Sequence, residues 1–180
     1  MSPEPWHLVR LYTIGHSTRS FDAFAALLDA HGIGQVADIR TIPRSRRHPQ
    51  FERESLAAAL AARGVAYRHL PGLGGLRHPR RESPNTGWRN ESFRGYADYM
   101  ATAAFDEALG DLLVLARAAP TAAMCAEAVW WRCHRNLLAD TIVARGGEVL
   151  HITSAAAPAA HQLNPMARVF EGRVSYPSLI

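Results

Sequence analysis

The segment CAEAVWWRCHR, residues 125 to 135, gathers two thiols, a carboxylate, an imidazole and a guanidinium in a short stretch of chain. Cys125 is a candidate nucleophile, because a thiol near a helix N-terminus and arginines has its pKa lowered and its thiolate made available. The competing reading is burial, since a free cysteine packs as a small hydrophobe. Glu127 follows an apolar run by two residues and either pairs with an arginine or acts as a general base. Cys133 and His134 point to the same cleft if a helix starts beside them. There His134 serves as acid or base, or stays neutral and hydrogen-bonded. Arg135 holds an anionic group, with the two parallel hydrogen bonds a guanidinium can offer, or braces Glu127.

Two familiar chemistries fit this segment poorly. Cys125, Glu127, Cys133 and His134 follow none of the usual zinc-ligand spacings, so no metal is expected. The residue six past Cys125 is Trp131, where a phosphatase-type cysteine would need arginine.

These side chains need a scaffold. LVRLYTIG, residues 8 to 15, reads as a buried strand that delivers Gly15, His16 and Ser17 at its exit. Ser20 is a plausible N-cap for a helix over 21 to 31, where Phe21, Phe24, Leu27 and Leu28 recur at helical spacing, and Gly32 closes it. QVADIR, 35 to 40, is a second strand and is followed by an arginine-rich loop. A helix over 52 to 63 and a strand over 65 to 70 repeat the β-α-β pattern. Helices are expected over 92 to 101, 104 to 118 and 132 to 145, with strands at 121 to 127 and 148 to 153. The tail from Ala155 has no clear element, save an edge strand around Phe170, Val174 and Tyr176.

Residues 71 to 90, rich in glycine, proline and charge, form a long loop. A loop of that length inside a compact domain is usually functional or disordered. Trp88, Leu73 and Leu76 give it anchors, so a lid is the preferred reading. Strands alternating with helices give an α/β three-layer fold, with a mainly parallel sheet of about five strands, helices on both faces, and one domain over residues 1 to 180. In such sheets ligands bind outside the carboxyl ends of the strands. That rule brings His16, Ser17, Arg40, Cys125 and Glu127 to one edge without their having been chosen for proximity.

Composition narrows the function. The chain has 180 residues, 48% hydrophobic and 20% charged, which suits one globular domain. All 20 basic residues are arginine. The absence of lysine excludes a Schiff-base lysine, a pyridoxal phosphate anchor and a Walker-type phosphate lysine, and no other cofactor is indicated. Two cysteines, no signal-peptide pattern and no membrane span make the cytoplasm, with reduced thiols, the expected location. Arg40, Arg44, Arg46, Arg47 and His48 form a basic cluster: a solvated loop, a clamp for a small anion, or a contact for a nucleic-acid backbone. Arg77, Arg80 and Arg81 add charge without the interleaved aromatics of a single-strand platform.

TIGHS at 13 to 17, DIRTIPRS at 38 to 45, LGG at 73 to 75, GWRNESFRGYADYM at 87 to 100 and MCAEAVWWRCHRNLLAD at 124 to 140 resemble domain-of-unknown-function family 488. The resemblance runs over nearly the whole chain, with the motifs in order. It implies a single cytosolic prokaryotic α/β domain. It further implies that His16, Ser17, Asp38, Arg40, Pro43, Cys125, Glu127, Cys133, His134 and Arg135 occupy the family's motif positions, and it supplies no reaction.

The leading expectation is therefore an enzyme, a hydrolase or transferase, acting on a small anionic and nucleotide-like substrate. Glu127, His134 and Cys125 would be catalytic, and His16, Ser17, Arg40, Arg44, Cys133 and Arg135 would hold the anion. The alternatives are a nucleic-acid-associated module using the arginine loop and a non-catalytic adaptor domain.

Overall fold

The structure, a computed structural model, describes residues 5–179. Its centre is a six-stranded sheet in the order β3-β2-β4-β1-β5-β6. β1 (Arg10–Gly15), β2 (Gln35–Asp38), β3 (Ala66–His69), β4 (Thr121–Cys125) and β5 (Glu148–Ile152) are parallel, and β6 (Ala159–Ala160) joins β5 antiparallel. The sheet thus has one strand more than the five expected. The extra strand is two residues long and carries no pattern that a sequence could show. The tail also folds into a hairpin, β7 (Arg168–Phe170) with β8 (Arg173–Ser175), where one edge strand was expected.

Helices cover both faces. α1 (Phe21–Ala30) and α2 (Arg53–Ala61) bury Phe24, Leu28, Leu56 and Leu60 against Ile14, Val36, Ala122 and Met124. α3 (Glu91–Tyr99), α4 (Ala103–Ala118) and α5 (Arg135–Ala144) pack Tyr96, Leu109, Leu112, Leu137, Leu138 and Ile142 against Leu11, Ala37, Ala123 and Val149. Successive strand residues thus alternate between two apolar layers, which is why these parallel strands read as unbroken hydrophobic runs. The helix starts obey local chemistry. Ser20, Asn90 and Thr102 each accept a hydrogen bond from a first-turn N–H, from Ala23, Phe93 and Phe105 respectively. Among the described residues no helix is long and apolar enough to cross a membrane.

The strands stop earlier than the sequence suggests, for reasons that bear on function. β2 ends at Asp38 because the Asp38 carboxylate turns back to accept from the Arg40 backbone N–H and side chain. β4 ends at Cys125 because the next residues fold over the end of β1. α5 begins at Arg135, three residues later than expected, after a 3-10 turn at Trp130–Arg132.

The long connection from 71 to 90 is tied to the body through one buried carboxylate. Asp98 in α3 accepts from the Arg80 backbone N–H at 2.8 Å, the Ser83 hydroxyl at 2.6 Å and the Asn85 amide at 2.8 Å. Trp88 packs edge-on against Phe93 and Tyr176, and the Arg77 guanidinium lies 3.5 Å over the Tyr99 ring. Those hydrogen bonds outweigh the burial that would otherwise raise the Asp98 carboxyl, and hold it below its ordinary range.

Replacing Asp98 by alanine leaves a buried amide and a hydroxyl without their acceptor, a loss on the order of 2–4 kcal/mol. Urea unfolding of Asp98→Ala is expected to show that loss. Limited proteolysis of the native variant is expected to cut first between residues 77 and 90.

Candidate active site

At the carboxyl edge of the sheet the chain leaves β2 toward the α2 face and leaves its neighbour β4 toward the α5 face, so a crevice opens between the two exits. It holds a cavity of about 370 Å³. Arg40, Thr41, Ile42 and Arg44 line it from the loop after β2, Gly75 and Leu76 from the long connection, and Phe93 from α3. The end of β4 contributes Cys125 and Glu127, and the approach to α5 contributes Arg132, Cys133 and His134. The volume lies at the small end of metabolite sites.

Strand alternation decides where the first thiol points. Ala122 and Met124 belong to the α1–α2 layer, so Ala123 and Cys125 face the layer containing α5. Cys133 sits just before α5 on that same side. The two sulfurs are 2.9 Å apart, both buried and neither in a disulfide. Cys133 Sγ accepts at 3.5 Å from the backbone N–H of Arg135, the first residue of α5, which the helix itself leaves without a partner. His134 Nδ1 lies 3.4 Å from the same sulfur. Burial alone would raise the Cys133 thiol. The hydrogen bond from Cys125 and the nearby His134 and Arg135 outweigh it and hold Cys133 well below an ordinary thiol. Burial and the adjacent Cys133 push the Cys125 thiol up. The contacts thus favour negative charge on Cys133, which meets the Arg135 N–H and His134, and the proton on Cys125, which has the Glu127 carbonyl as acceptor. Residue type alone favoured Cys125 as nucleophile; the geometry favours Cys133.

The His134 ring is fixed by its neighbours. It lies 5.2 Å from the Tyr96 ring and flat against Gly75, where a Cβ would come within 2.6 Å of Nδ1. Its Nε2 is buried with no hydrogen-bond partner among the described residues.

Arg40 is 6% exposed and its charge is matched by Asp38, Nε to Oδ1 at 2.9 Å and Nη2 to Oδ2 at 2.7 Å. Tyr67 also donates to Asp38 Oδ2. Arg40 Nη1 lies 3.4 Å from His16 Nε2. His16 stacks on Phe51, with ring centres 4.2 Å apart, and Nδ1 sits 2.8 Å from the Ser17 carbonyl. A carbonyl only accepts, so Nδ1 carries the proton and Nε2 accepts from Arg40. Three of the five guanidinium N–H groups are thereby engaged, and Arg40 keeps two for a ligand. Arg44 and Arg132, both exposed, add charge that no acid in the described residues offsets.

Glu127 is exposed at the cavity, its carboxylate accepting from the Val129 N–H at 3.2 Å and, among the described residues, pairing with no arginine. Arg135 does brace this residue, but through the main chain: Nη2 donates to the Glu127 carbonyl. The loop can lie that low only because residue 15 is glycine. A Cβ there would meet the Glu127 carbonyl oxygen at 1.8 Å.

Of the residues expected from sequence, Arg40, Arg44, Cys125, Glu127, Cys133 and His134 meet at the cavity. His16 and Ser17 stand behind it, His16 supporting Arg40, and Ser17 holding a left-handed backbone at φ 51° while its N–H reaches the Ala126 carbonyl. Arg135 lies inside the core, 1% exposed, and does not face the cavity. Sequence reasoning missed the apolar wall of Ile42, Leu76 and Phe93, and it missed the partner that holds Arg40, although Asp38 two residues upstream at a strand end was the available signal.

It missed a buried chain of side chains as well. Arg135 Nη1 reaches Thr13 Oγ1, Thr13 Oγ1 lies 2.6 Å from His151 Nδ1, His151 Nε2 lies 2.9 Å from His161 Nδ1, and His161 Nε2 lies 2.8 Å from Asp140 Oδ1. The Tyr176 hydroxyl donates to the other Asp140 oxygen at 2.7 Å. Asp140 can only accept. Read back from it, each histidine donates through Nε2, Thr13 donates to His151, and Arg135 donates to Thr13. Trp130 stacks on His151, with ring centres 4.0 Å apart, and seals the chain.

A family model described as "Domain of unknown function DUF488" matches residues 20–142, a span that holds every cavity residue named above. No curated protein and no solved structure matches the chain.

Burial lowers His151 to about 3, with help from His161 and Arg135, and lowers His16 to about 4, with help from Arg40. Above the ordinary histidine value of 6.5 both states of the protein are neutral at these positions and stability is complete. Below it the unfolded chain takes up protons that the folded chain refuses. Stability should therefore fall as pH drops from about 6.5, by up to about 1.4 kcal/mol per pH unit for each histidine. Urea midpoints are expected to decline steadily from pH 7 toward pH 5.

Proposed function

The chain belongs to the DUF488 family, and from that premise we propose that it is a thiol-dependent enzyme acting on a small anionic substrate by group transfer or hydrolysis. The observation that carries this reading is the Cys133 sulfur at the cavity wall, held by the Arg135 N–H and set beside His134 and two unengaged N–H groups of Arg40. In the first step the Cys133 thiolate attacks the electrophilic atom of the substrate, a bond to sulfur forms, and the leaving group departs with its electron pair. In the second step water or another acceptor attacks that atom, gives its proton to Glu127, and Cys133 leaves as thiolate. Arg40 and Arg44 hold the anionic group. Ile42, Leu76 and Phe93 supply a surface for an apolar part such as a nucleobase. His134 acts as a positioning residue that keeps Cys133 ionised. The long connection contributes Gly75 and Leu76 to the cavity wall, which supports its reading as a cover over the site.

A contact with nucleic acid is the second reading, favoured by exposed Arg46 and Arg47 beside the mouth. Phosphate contacts of that kind would weaken steeply with salt, whereas binding inside a cavity would not.

Thermal stabilisation of the wild type by members of a library of anionic metabolites tests the leading reading. Arg44→Ala should weaken the response about fivefold with no change in the unliganded Tm, since Arg44 is exposed and unpaired. Arg40→Ala should unfold more easily by roughly 3–5 kcal/mol, because Asp38 is left buried without its countercharge. Alkylation of Cys133 by iodoacetamide should proceed at a lower pH than that of an ordinary thiol and should slow in His134→Ala. A wild type that no anion stabilises, or a Cys133→Ser variant with undiminished turnover of a stabilising metabolite, would overturn the reading.

A further inference from the structure

The sulfur of Cys125 has no part in the group transfer just described. It lines the same cavity, 2.9 Å from Cys133, in a strand whose alternation aims it nowhere else. That separation is shorter than two thiolates can keep on one tetrahedral zinc, where bonds of about 2.3 Å place the sulfurs well over 3 Å apart. Among the described residues no group of three or more His, Cys, Asp or Glu is placed to hold a metal ion. Closing the pair to a disulfide of about 2.05 Å needs less than about 1 Å of movement.

The two buried sulfurs are also unequal in support. Only Cys133 receives the Arg135 N–H and the approach of the His134 ring, while Cys125 has the Glu127 carbonyl 3.6 Å away as its alternative acceptor. One sulfur is built to attack and the other to wait with its proton.

We propose that Cys125 and Cys133 are a two-electron dithiol centre that reduces a small anionic disulfide, with Cys133 attacking and Cys125 resolving. This rests on the preceding reading for the anionic class of substrate and for Cys133 as nucleophile, and it names the electrophilic atom as sulfur. The Cys133 thiolate attacks one sulfur of R–S–S–R, the Cys133–S–S–R bond forms, and the first RS⁻ leaves into a cavity lined by Arg40 and Arg44. Cys125 then releases its proton and attacks the Cys133 sulfur, the bond to the second RS⁻ breaks, and the Cys125–Cys133 disulfide forms. The substrate gains two electrons and, with two protons, becomes two RSH. The dithiol loses two electrons, which a reducing dithiol returns by the same steps in reverse.

The test uses the full chain, reduced, freed of reductant and kept anaerobic, with glutathione disulfide as the probe. The wild type should release two equivalents of glutathione per chain and end lighter by two hydrogens in intact-mass analysis. Cys125→Ser should release one equivalent and stop as a glutathione adduct on Cys133, and Cys133→Ser should release none. Cystamine, a cationic disulfide, should react at least tenfold more slowly than glutathione disulfide. Titration of the wild type alone in glutathione redox buffers should give a single two-electron transition to the internal disulfide, which keeps the proposal open to test even if a variant fails to fold.

A wild type that halts as the Cys133 adduct with Cys125 still free would overturn the dithiol centre and leave Cys133 as nucleophile. A Cys133 that does not react at all would overturn both readings. Equal rates for the two probes would overturn the anionic class of substrate.

Discussion

Arg135 carries a guanidinium into a place that water does not reach, and among the described residues no carboxylate lies within ion-pair distance of it. A charge so placed must be met by dipoles, and the chain supplies them from two directions. The carbonyls of Glu127 and Ala128 turn inward to accept from Nη2, while Thr13 accepts from Nη1 and passes the polarity through His151 and His161 to Asp140. The negative end of the system is thus several side chains away from the positive end, joined by hydrogen bonds that each run one way. In a low-dielectric interior such a chain is strong when complete and costly when broken. It ties together β1, β5, α5 and the tail.

The cavity depends on that arrangement. Because the Glu127 carbonyl is drawn inward, the loop after β4 folds across Gly15 and the Glu127 side chain is left facing outward at the cavity. Because Arg135 is anchored in the core, its backbone N–H stands where the Cys133 sulfur can accept it. The same residue therefore positions a carboxylate and a thiolate without touching the space they face. On the other side of the crevice, Asp38 performs the matching task. It accepts from the Arg40 backbone N–H, from two guanidinium N–H groups and from the Tyr67 hydroxyl, and with His16 taking a third guanidinium N–H two donors are left for a ligand. Both halves follow one pattern, a buried polar partner behind a polar group at the wall, and the sheet's carboxyl edge is where the two meet.

The apolar layers make this economy possible. Each parallel strand presents alternate residues to opposite helix layers, so one residue of shift in β4 would send Cys125 to the α1–α2 side and separate it from Cys133. The long connection completes the wall from above, held by Asp98, which accepts from the Arg80 backbone and from the Ser83 and Asn85 side chains, and by the tail, where the Gly87 N–H reaches the Tyr176 carbonyl. Tyr176 in turn reaches Asp140. The tail, which has almost no pattern of its own, is held by the same buried chain that begins at Arg135.

Sequence by itself determined the α/β class, the five parallel strands, the five helices with the Ser20 cap, and the edge at which polar residues gather, because hydrophobic period and turn chemistry are local properties of neighbouring residues. It also determined that Arg40, Cys125, Glu127, Cys133 and His134 would share that edge, since strand ends in a parallel sheet all point one way. Only the tertiary structure decided which thiol meets the Arg135 N–H, that Arg135 turns into the core while Arg40 stays at the wall, and that Thr13, His151, His161, Asp140 and Tyr176 form one chain. Those outcomes rest on contacts between residues as far apart as 13 and 151 or 15 and 127, and on which of two buried sulfurs meets a backbone N–H. The chemistry of a side chain is written in its residue type, but its charge state and direction are set by neighbours that the chain brings close only on folding.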